Sequence, residues 1–240
     1  MSSKFSRNED TMESGKSGAS RRLVIAIDGP AGSGKSTVAK IVADKLDYLY
    51  IDTGAMYRAL TLKALKLNID LTNENSLADL ARRTDVKLAQ INGALRVYLD
   101  NEDVTKDIRT PEVTNSVKYV ASVRGVREHM VALQRRIGEK GAVVLEGRDI
   151  GTVVFPSADK KFYLDASFDV RVGRRYKEFR ETAVDVAQEE VKADLKKRDD
   201  SDINRSIGPL KKADDAILVD TTNLTIDAVV KRILNLIDTK

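Results

Sequence analysis

The sequence predicts an α/β protein: a five-stranded parallel sheet in a three-layer α/β/α core, interrupted by a small β-rich insertion. Three observations carry this. Short, nearly continuous apolar runs alternate with segments of helical spacing, the pattern of strands covered on both faces by helices. A glycine-rich stretch, "GPAGSGKST", sits between the first such run and the first helical segment. In the middle of the chain the pattern changes to alternation around Asn92-Gly93.

Taken in order, "RLVIAIDG" (22–29) is the first strand and "KSTVAKIVADKL" the first helix. "YLYID" (48–52) is a second strand, and "GAMYRALTLKALKL" a helix with Met56, Leu60 and Ala64 on one side. "DVKLAQINGALRVYLDNEDVT" reads as an antiparallel hairpin, because Asn-Gly tolerates positive φ at both turn positions. A third short strand is expected at 103–105, so 71–109 is an insertion carrying a small sheet. Helices are expected at 111–122 and 126–140. The first pattern then returns in "AVVLEG", "KKFYLDA" and "AILVDTT", with a strongly charged helical region at 169–205 before the last. "TIDAVVKRILNLID" closes the chain as an amphipathic helix capped by Thr225.

Composition narrows the classes. The chain has 240 residues, 42% hydrophobic and 32% charged, with a net charge of +4. That size holds one sizeable core or two modest domains. The charge excess is mild and no block of five or six like charges occurs, so no nucleic-acid partner is indicated. Cysteine is absent, which removes disulfides, thiolate metal sites and a thiol nucleophile, and suits a reducing, cytoplasmic setting. No apolar run approaches the ~18 residues that would span a membrane. Residues 1–20 are polar, serine-rich and lack the apolar stretch of a secretory signal, so they read as a disordered extension.

The glycine-rich stretch matches G-x-x-x-x-G-K-[ST] through Gly29, Gly34, Lys35 and Ser36, with a strand before and a helix after. A phosphate chain needs many donors at close range. Glycines let the loop of Gly29, Pro30, Ala31, Gly32, Ser33 and Gly34 turn its N–H groups inward (Pro30 has none and contributes only to the turn), and the first turn from Lys35 through Ser36 and Thr37 adds its own. Lys35 reaches the β and γ phosphates, and the Ser36 hydroxyl can ligate Mg²⁺. The loop therefore holds a nucleoside triphosphate.

Its use must be read elsewhere. A GTPase would need N-K-x-D, which is absent. An ATPase would want an apolar strand ending in a carboxylate, and "AVVLEG" ends near Glu146, so that reading is weakened only. Arg58, with Thr53, follows the second strand, and Arg148 with Asp149 follows the third. Ligands of open α/β sheets bind outside the carboxyl ends of strands, so Arg58 and Arg148 join Lys35 there. Two guanidiniums aimed at one crevice need an anion between them, and Arg suits phosphate. In "RDDSDINR", Arg198, Asp202 and Arg205 would share one helix face. A phosphate monoester acceptor is already an oxyanion at pH 7 and needs neutralisation and in-line placement rather than a base. The arginines, with His129 on an apparent helix as the only histidine, favour a nucleoside monophosphate acceptor. Asp52 and Asp149 could still serve as bases for an alcohol acceptor.

With those residues in hand, the sequence resembles the bacterial cytidylate kinases. The matching pieces are "IDGPAGSGKSTVAK", "DTGAMYRAL", "TPEVTNSV", "EGRDIGTVVFP", "FYLDAS", "RDDSDINR" and "ADDAILVDTT", in family order over 23–240. The resemblance implies phosphorylation of CMP or dCMP by ATP with Mg²⁺. It implies a P-loop NTPase core (21–52, 141–168, 214–240), a CMP-binding region enlarged by the insertion (53–140), and a mobile helical lid (about 169–205). Arg58, Arg148 and Arg205 match positions that grip the acceptor phosphate, with Thr53 beside them. Arg198 and Asp202 match those near the ribose, and Arg127 and Asp149 those reading the cytosine edge. Arg174 and Arg175 match lid arginines that approach the ATP phosphates on closure. A monomer is expected. One departure stands out: Lys118 occupies a position where related sequences often carry a serine for the base, which leaves selectivity between CMP and UMP open. A UMP or alcohol kinase and a non-catalytic nucleotide-binding module remain the alternatives.

Overall fold

The computed structural model describes residues 22–91, 93–181 and 186–239. The expected disordered extension at 1–20 and residue Asn92 lie outside them. In chain order, β1 (Val24–Asp28) leads through the glycine-rich loop to α1 (Lys35–Leu46), then β2 (Leu49–Asp52) and α2 (Thr53–Lys66). The middle contains α3 (Glu74–Arg82), β3 (Val86–Ile91), β4 (Ala94–Leu99), β5 (Glu102–Asp103), α4 (Pro111–Ser122) and α5 (Arg124–Gly138). Then follow β6 (Val143–Gly147), β7 (Lys160–Asp165), α6 (Phe168–Glu181), α7 (Gln188–Asn204), β8 (Ile217–Asp220) and α8 (Ile226–Asp238).

The main sheet is parallel, in the order β2-β6-β1-β7-β8. Its side chains alternate between two cores. Ile25 and Ile27 pack with Val38 and Val42 of α1 and Val229 and Ile233 of α8, while Ala26 and Ile51 face α2 and the middle helices. The alternation follows from the period-two geometry of a strand, and both faces are apolar because both are covered. The chain leaves β1 for β2 on one side and later adds β7 and β8 on the other. The crevice at the carboxyl end of β1 is therefore where strand order reverses. Register aligns Asp28 with Gly147 and Asp52 with Glu146, so β1, β2 and β6 finish level and present polar residues in one row.

The insertion hairpin forms with Ile91 paired to Ala94, a two-residue connection whose described half, Gly93, has φ of 72°. The third strand falls at Glu102–Asp103 rather than 103–105. Thr105 instead uses its hydroxyl to accept from the Val97 N–H at 2.9 Å, and Val104 N–H bonds the Val97 carbonyl. The nine-residue helix α3 was not expected. Asn73 caps it by accepting from the Ser76 N–H, and it buries Leu77, Leu80 and Ala81. It is short enough that two turns of spacing are easily taken for a loop. A π-helical turn at Ile150–Val154, also unforeseen, follows β6. α4 starts where its Thr-Pro pair predicts, with Thr110 as cap, and Thr225 caps α8 through the Ala228 N–H.

Candidate active site

The loop after β1 is shaped by backbone crowding. A Cβ on Gly29 would overlap the carbonyl oxygen of Leu164 at the end of β7, and Gly34 sits at φ of 86° immediately before α1. Only glycine enters both positions without strain. α1 has no side-chain cap, whereas Asp52 caps α2 by accepting from the Ala55 N–H. The first N–H groups of α1 are thus not taken up by a capping side chain. Ser36 and Thr37 are exposed on the first turn, and the buried Ser33 hydroxyl has no partner.

Lys35 is buried, its ammonium donating to the Pro30 carbonyl at 3.2 Å and lying 3.9 Å from Glu146. Burial, and then the nearby Arg148 charge, lower its pKa to about 7. Glu146, next to last in β6, accepts from the Tyr50 hydroxyl at 3.1 Å. The motif lysine and the strand-end arginine therefore share one desolvated space.

Every arginine around that space has a carboxylate beside it or within its field. Arg148 donates from Nε to Asp202 at 2.7 Å. Arg127, 2% exposed, pairs with Asp149 and lies over the Tyr57 ring at 5.6 Å. Arg205 bridges Asp149 at 3.6 Å and Asp202 at 3.5 Å. Arg58 donates to Asp52 at 2.9 Å. Arg198 is half-buried, and desolvation followed by the Arg148 charge lowers its pKa to about 10. Burial alone would raise the Asp202 carboxyl, but Arg148 and Arg205 hold it below the ordinary carboxylate range. The anions expected between guanidiniums are thus supplied by the chain itself in Asp202, Asp149 and Asp52.

Several expectations need adjustment. α7 ends at Asn204, so Arg205 is not on the helical face of Arg198 and Asp202; it stands in extended backbone (φ −66°, ψ 141°) just past the end. It still meets Asp202, because the chain turns back there, with Leu210 N–H bonding the Asp202 carbonyl. Thr53 lies on the crevice wall, but its hydroxyl donates to the Glu146 carbonyl at 2.7 Å. Arg174 reaches the loop, donating to Thr221 at 2.7 and 3.0 Å and to the Gly32 carbonyl at 3.4 Å. Arg175 instead pairs with Glu178 at 2.6 Å and stacks on Phe179. Lys118 lies over the Tyr119 ring at 5.0 Å. His129 stays on α5, half-buried. Asp52, held below the ordinary carboxylate range against the effect of its burial by Arg58, Ala55 N–H and Arg109, is poorly suited to act as a base.

Sequence reasoning missed Asp28. Its carboxylate accepts from the N–H groups of Ile150 and Gly151, both at 2.8 Å, and so ties the end of β1 to the loop carrying Arg148 and Asp149. A carboxylate ending an otherwise apolar strand was its one signal. Arg109, brought from the insertion to 3.7 Å of Asp52, gave none, since the contact depends on the fold.

A strand-loop-helix phosphate cradle joined at a sheet's switch point to an arginine-lined crevice defines a P-loop phosphotransferase. The family model for cytidylate kinase matches residues 25–239. The cytidylate kinase of Bacillus subtilis (strain 168) is 50% identical over 220 residues, covering 92% of this chain and 98% of that protein. That of Clostridioides difficile (strain 630) is 50% identical over 216 residues, covering 90% and 98%. That of Desulforamulus reducens is 52% identical over 214 residues, covering 89% and 96%. The chain belongs to the cytidylate kinase family. Among its described residues no helix is long and apolar enough to cross a membrane.

Proposed function

We propose that the chain phosphorylates CMP and dCMP, transferring the γ-phosphoryl of ATP in line to the monophosphate with no covalent enzyme intermediate. One observation carries the reading: Lys35 of the phosphate loop lies 3.9 Å from Glu146, two residues before Arg148, which is held by Asp202 in the acceptor crevice, so the two cations meet at the end of β6. One bond forms between an acceptor phosphate oxygen and the γ-phosphorus, and one breaks between that phosphorus and the β-bridging oxygen. The acceptor oxygen is already anionic, so no base is required, and the work is positioning and neutralisation.

The loop from Gly29 to Thr37 holds ATP, with Lys35 on the β and γ phosphates. Arg58, Arg148 and Arg205 hold the CMP phosphate, Arg198 and Asp202 the ribose, and Arg127 and Asp149 the cytosine edge. Asp149 accepts from the exocyclic amine; uracil would turn a carbonyl toward the same carboxylate, setting two acceptors face to face with no proton between them. Arg174 already touches the loop, and Arg175 joins it by leaving Glu178 when α6 and α7 close over the nucleotides and exclude water.

Mg²⁺ fits as a companion of ATP. No group of three or more His, Cys, Asp or Glu side chains among the described residues could hold a metal, while the Ser36 hydroxyl is exposed at the start of α1. Mg²⁺ keeps waters and phosphate oxygens and needs few protein ligands, so Ser36 would supply one oxygen and the ion would neutralise phosphate charge. Both nucleotide sites come from one chain, which fits action as a monomer, and dependence on ATP fits the cytoplasm.

The test is a panel of CMP, dCMP, UMP and AMP with ATP and Mg²⁺. ADP should accumulate with CMP and dCMP at a kcat/KM well above that for UMP or AMP. ADP formed equally without CMP, or only with an alcohol, overturns the reading.

A further inference from the structure

The pair Arg171 and Asp199 joins the ATP loop to the helix that lines the acceptor crevice, and no step above uses it. Arg171, on α6, is 8% exposed, and Asp199, on α7, 7%. One guanidinium nitrogen of Arg171 donates to the Ala31 carbonyl at 3.0 Å and to the Asp199 carboxylate at 2.5 Å, while Nε donates to the Ala166 carbonyl at 3.2 Å. The guanidinium also stacks on Phe168 at 5.3 Å. The contact extends beyond the ion pair. Ala31, at the tip of the loop, packs in a small apolar cluster with Val172, Val191 and Leu195 of the two helices. A Cβ on Gly32 would come within 3.0 Å of the Arg171 carbonyl oxygen, so loop and helix touch backbone to backbone.

We propose that Arg171 and Asp199 are positioning residues: through them the occupant of the ATP loop sets where α7 holds Arg198 and Asp202 in the acceptor crevice. The inference rests on the reading of α7 as a wall of the CMP site. Apolar side chains could hold α6 against α7 as firmly as a buried ion pair, whose desolvation is costly. What a planar guanidinium adds is direction, because its donors are fixed relative to one another. A shift of the Ala31 carbonyl, as the loop turns its N–H groups to phosphate, pulls on the same fork that holds Asp199. Arg198 is the adjacent residue, and Asp202 lies one turn on. Asp199 has one carboxylate oxygen buried without a partner, so its hold on α7 runs through the oxygen bonded to Arg171.

The experiment is calorimetry on the full chain, giving the Kd of CMP with the loop empty and with it filled by a non-hydrolysable ATP analogue. In the unaltered chain the analogue should tighten CMP binding about five- to tenfold. In Arg171→Lys, whose single ammonium lacks the fork, and in Asp199→Asn, that gain should shrink to within about twofold. The Kd of the analogue itself should change little. A gain retained in both variants despite a lower Tm would mean a merely structural pair and overturns the proposal, as does a ratio of one in the unaltered chain. Should both variants fail to fold, hydrogen exchange on the unaltered chain decides: the analogue alone should slow amides near Asp199–Asp202, and no change there overturns the joint. CMP that fails to bind at all counts against the functional reading instead.

Discussion

The two halves of the site are built in opposite ways. The ATP half is one run of nine residues, Gly29–Thr37, whose donors are mostly backbone N–H groups aimed by glycine conformations and a helix start. The half proposed to hold CMP is assembled from side chains on α2, α5, the turn after β6, and α7 with its following loop, each charge balanced by another. A backbone site changes little with side-chain substitution, apart from its lysine. A side-chain site can be retuned one contact at a time, so on the proposed reading selectivity is set there.

The sharpest way to break that comparison is at the one side chain on which the ATP half depends. Lys35→Ala should lower kcat about 10²- to 10³-fold, as for loss of a donor to developing charge, measured with saturating CMP. Next comes Arg148→Ala, which leaves Asp202 with Arg205 as its remaining ion-pair partner. Its KM for CMP should rise about 10- to 100-fold, while the Kd of an ATP analogue moves within about twofold; equal losses for both nucleotides would show the halves are not separable. Asp149→Asn should cut the kcat/KM preference for CMP over UMP by about tenfold or more, and an unchanged ratio would remove Asp149 from base reading.

The fourth prediction is pH dependence. Lys35 releases its proton near 7 in the fold against 10.5 ordinarily. Between those values the unfolded chain binds more protons, so stability from this group rises with pH through that window. ATP favours the charged lysine, so analogue binding at pH 8 should take up close to one proton, seen by calorimetry in buffers of different ionisation enthalpy. Affinity should weaken as pH rises above 7, and no proton uptake would contradict the assignment. The smallest effect is the control. Thr225→Ala removes the α8 cap, whose hydroxyl, among the described residues, accepts only from the Ala228 N–H, and should cost about 1 kcal/mol, or about 2–4 °C in Tm, with kinetic constants unchanged.

The same contrast explains what could be read from the chain alone. β1, the loop and α1 are legible because their determinants are contiguous: an apolar run, spaced glycines, then helical periodicity. So are the Asn-Gly hairpin and the Thr-Pro start of α4. The acceptor arginines could be nominated from strand ends and from the resemblance. Their partners could not, since Arg148 and Asp202 are far apart in the chain and meet only through the order of the sheet. α3 was lost because nine residues carry little periodicity, and the end of α7 was overrun because its charged pattern continues past Asn204. Arg109 and the Arg171–Asp199 pair are products of packing.

Asp202, Asp149 and Asp52 act as built-in understudies for the guest. Paired with Arg58, Arg127, Arg148 and Arg205, they set beside each guanidinium a charge that any anion reaching it must displace.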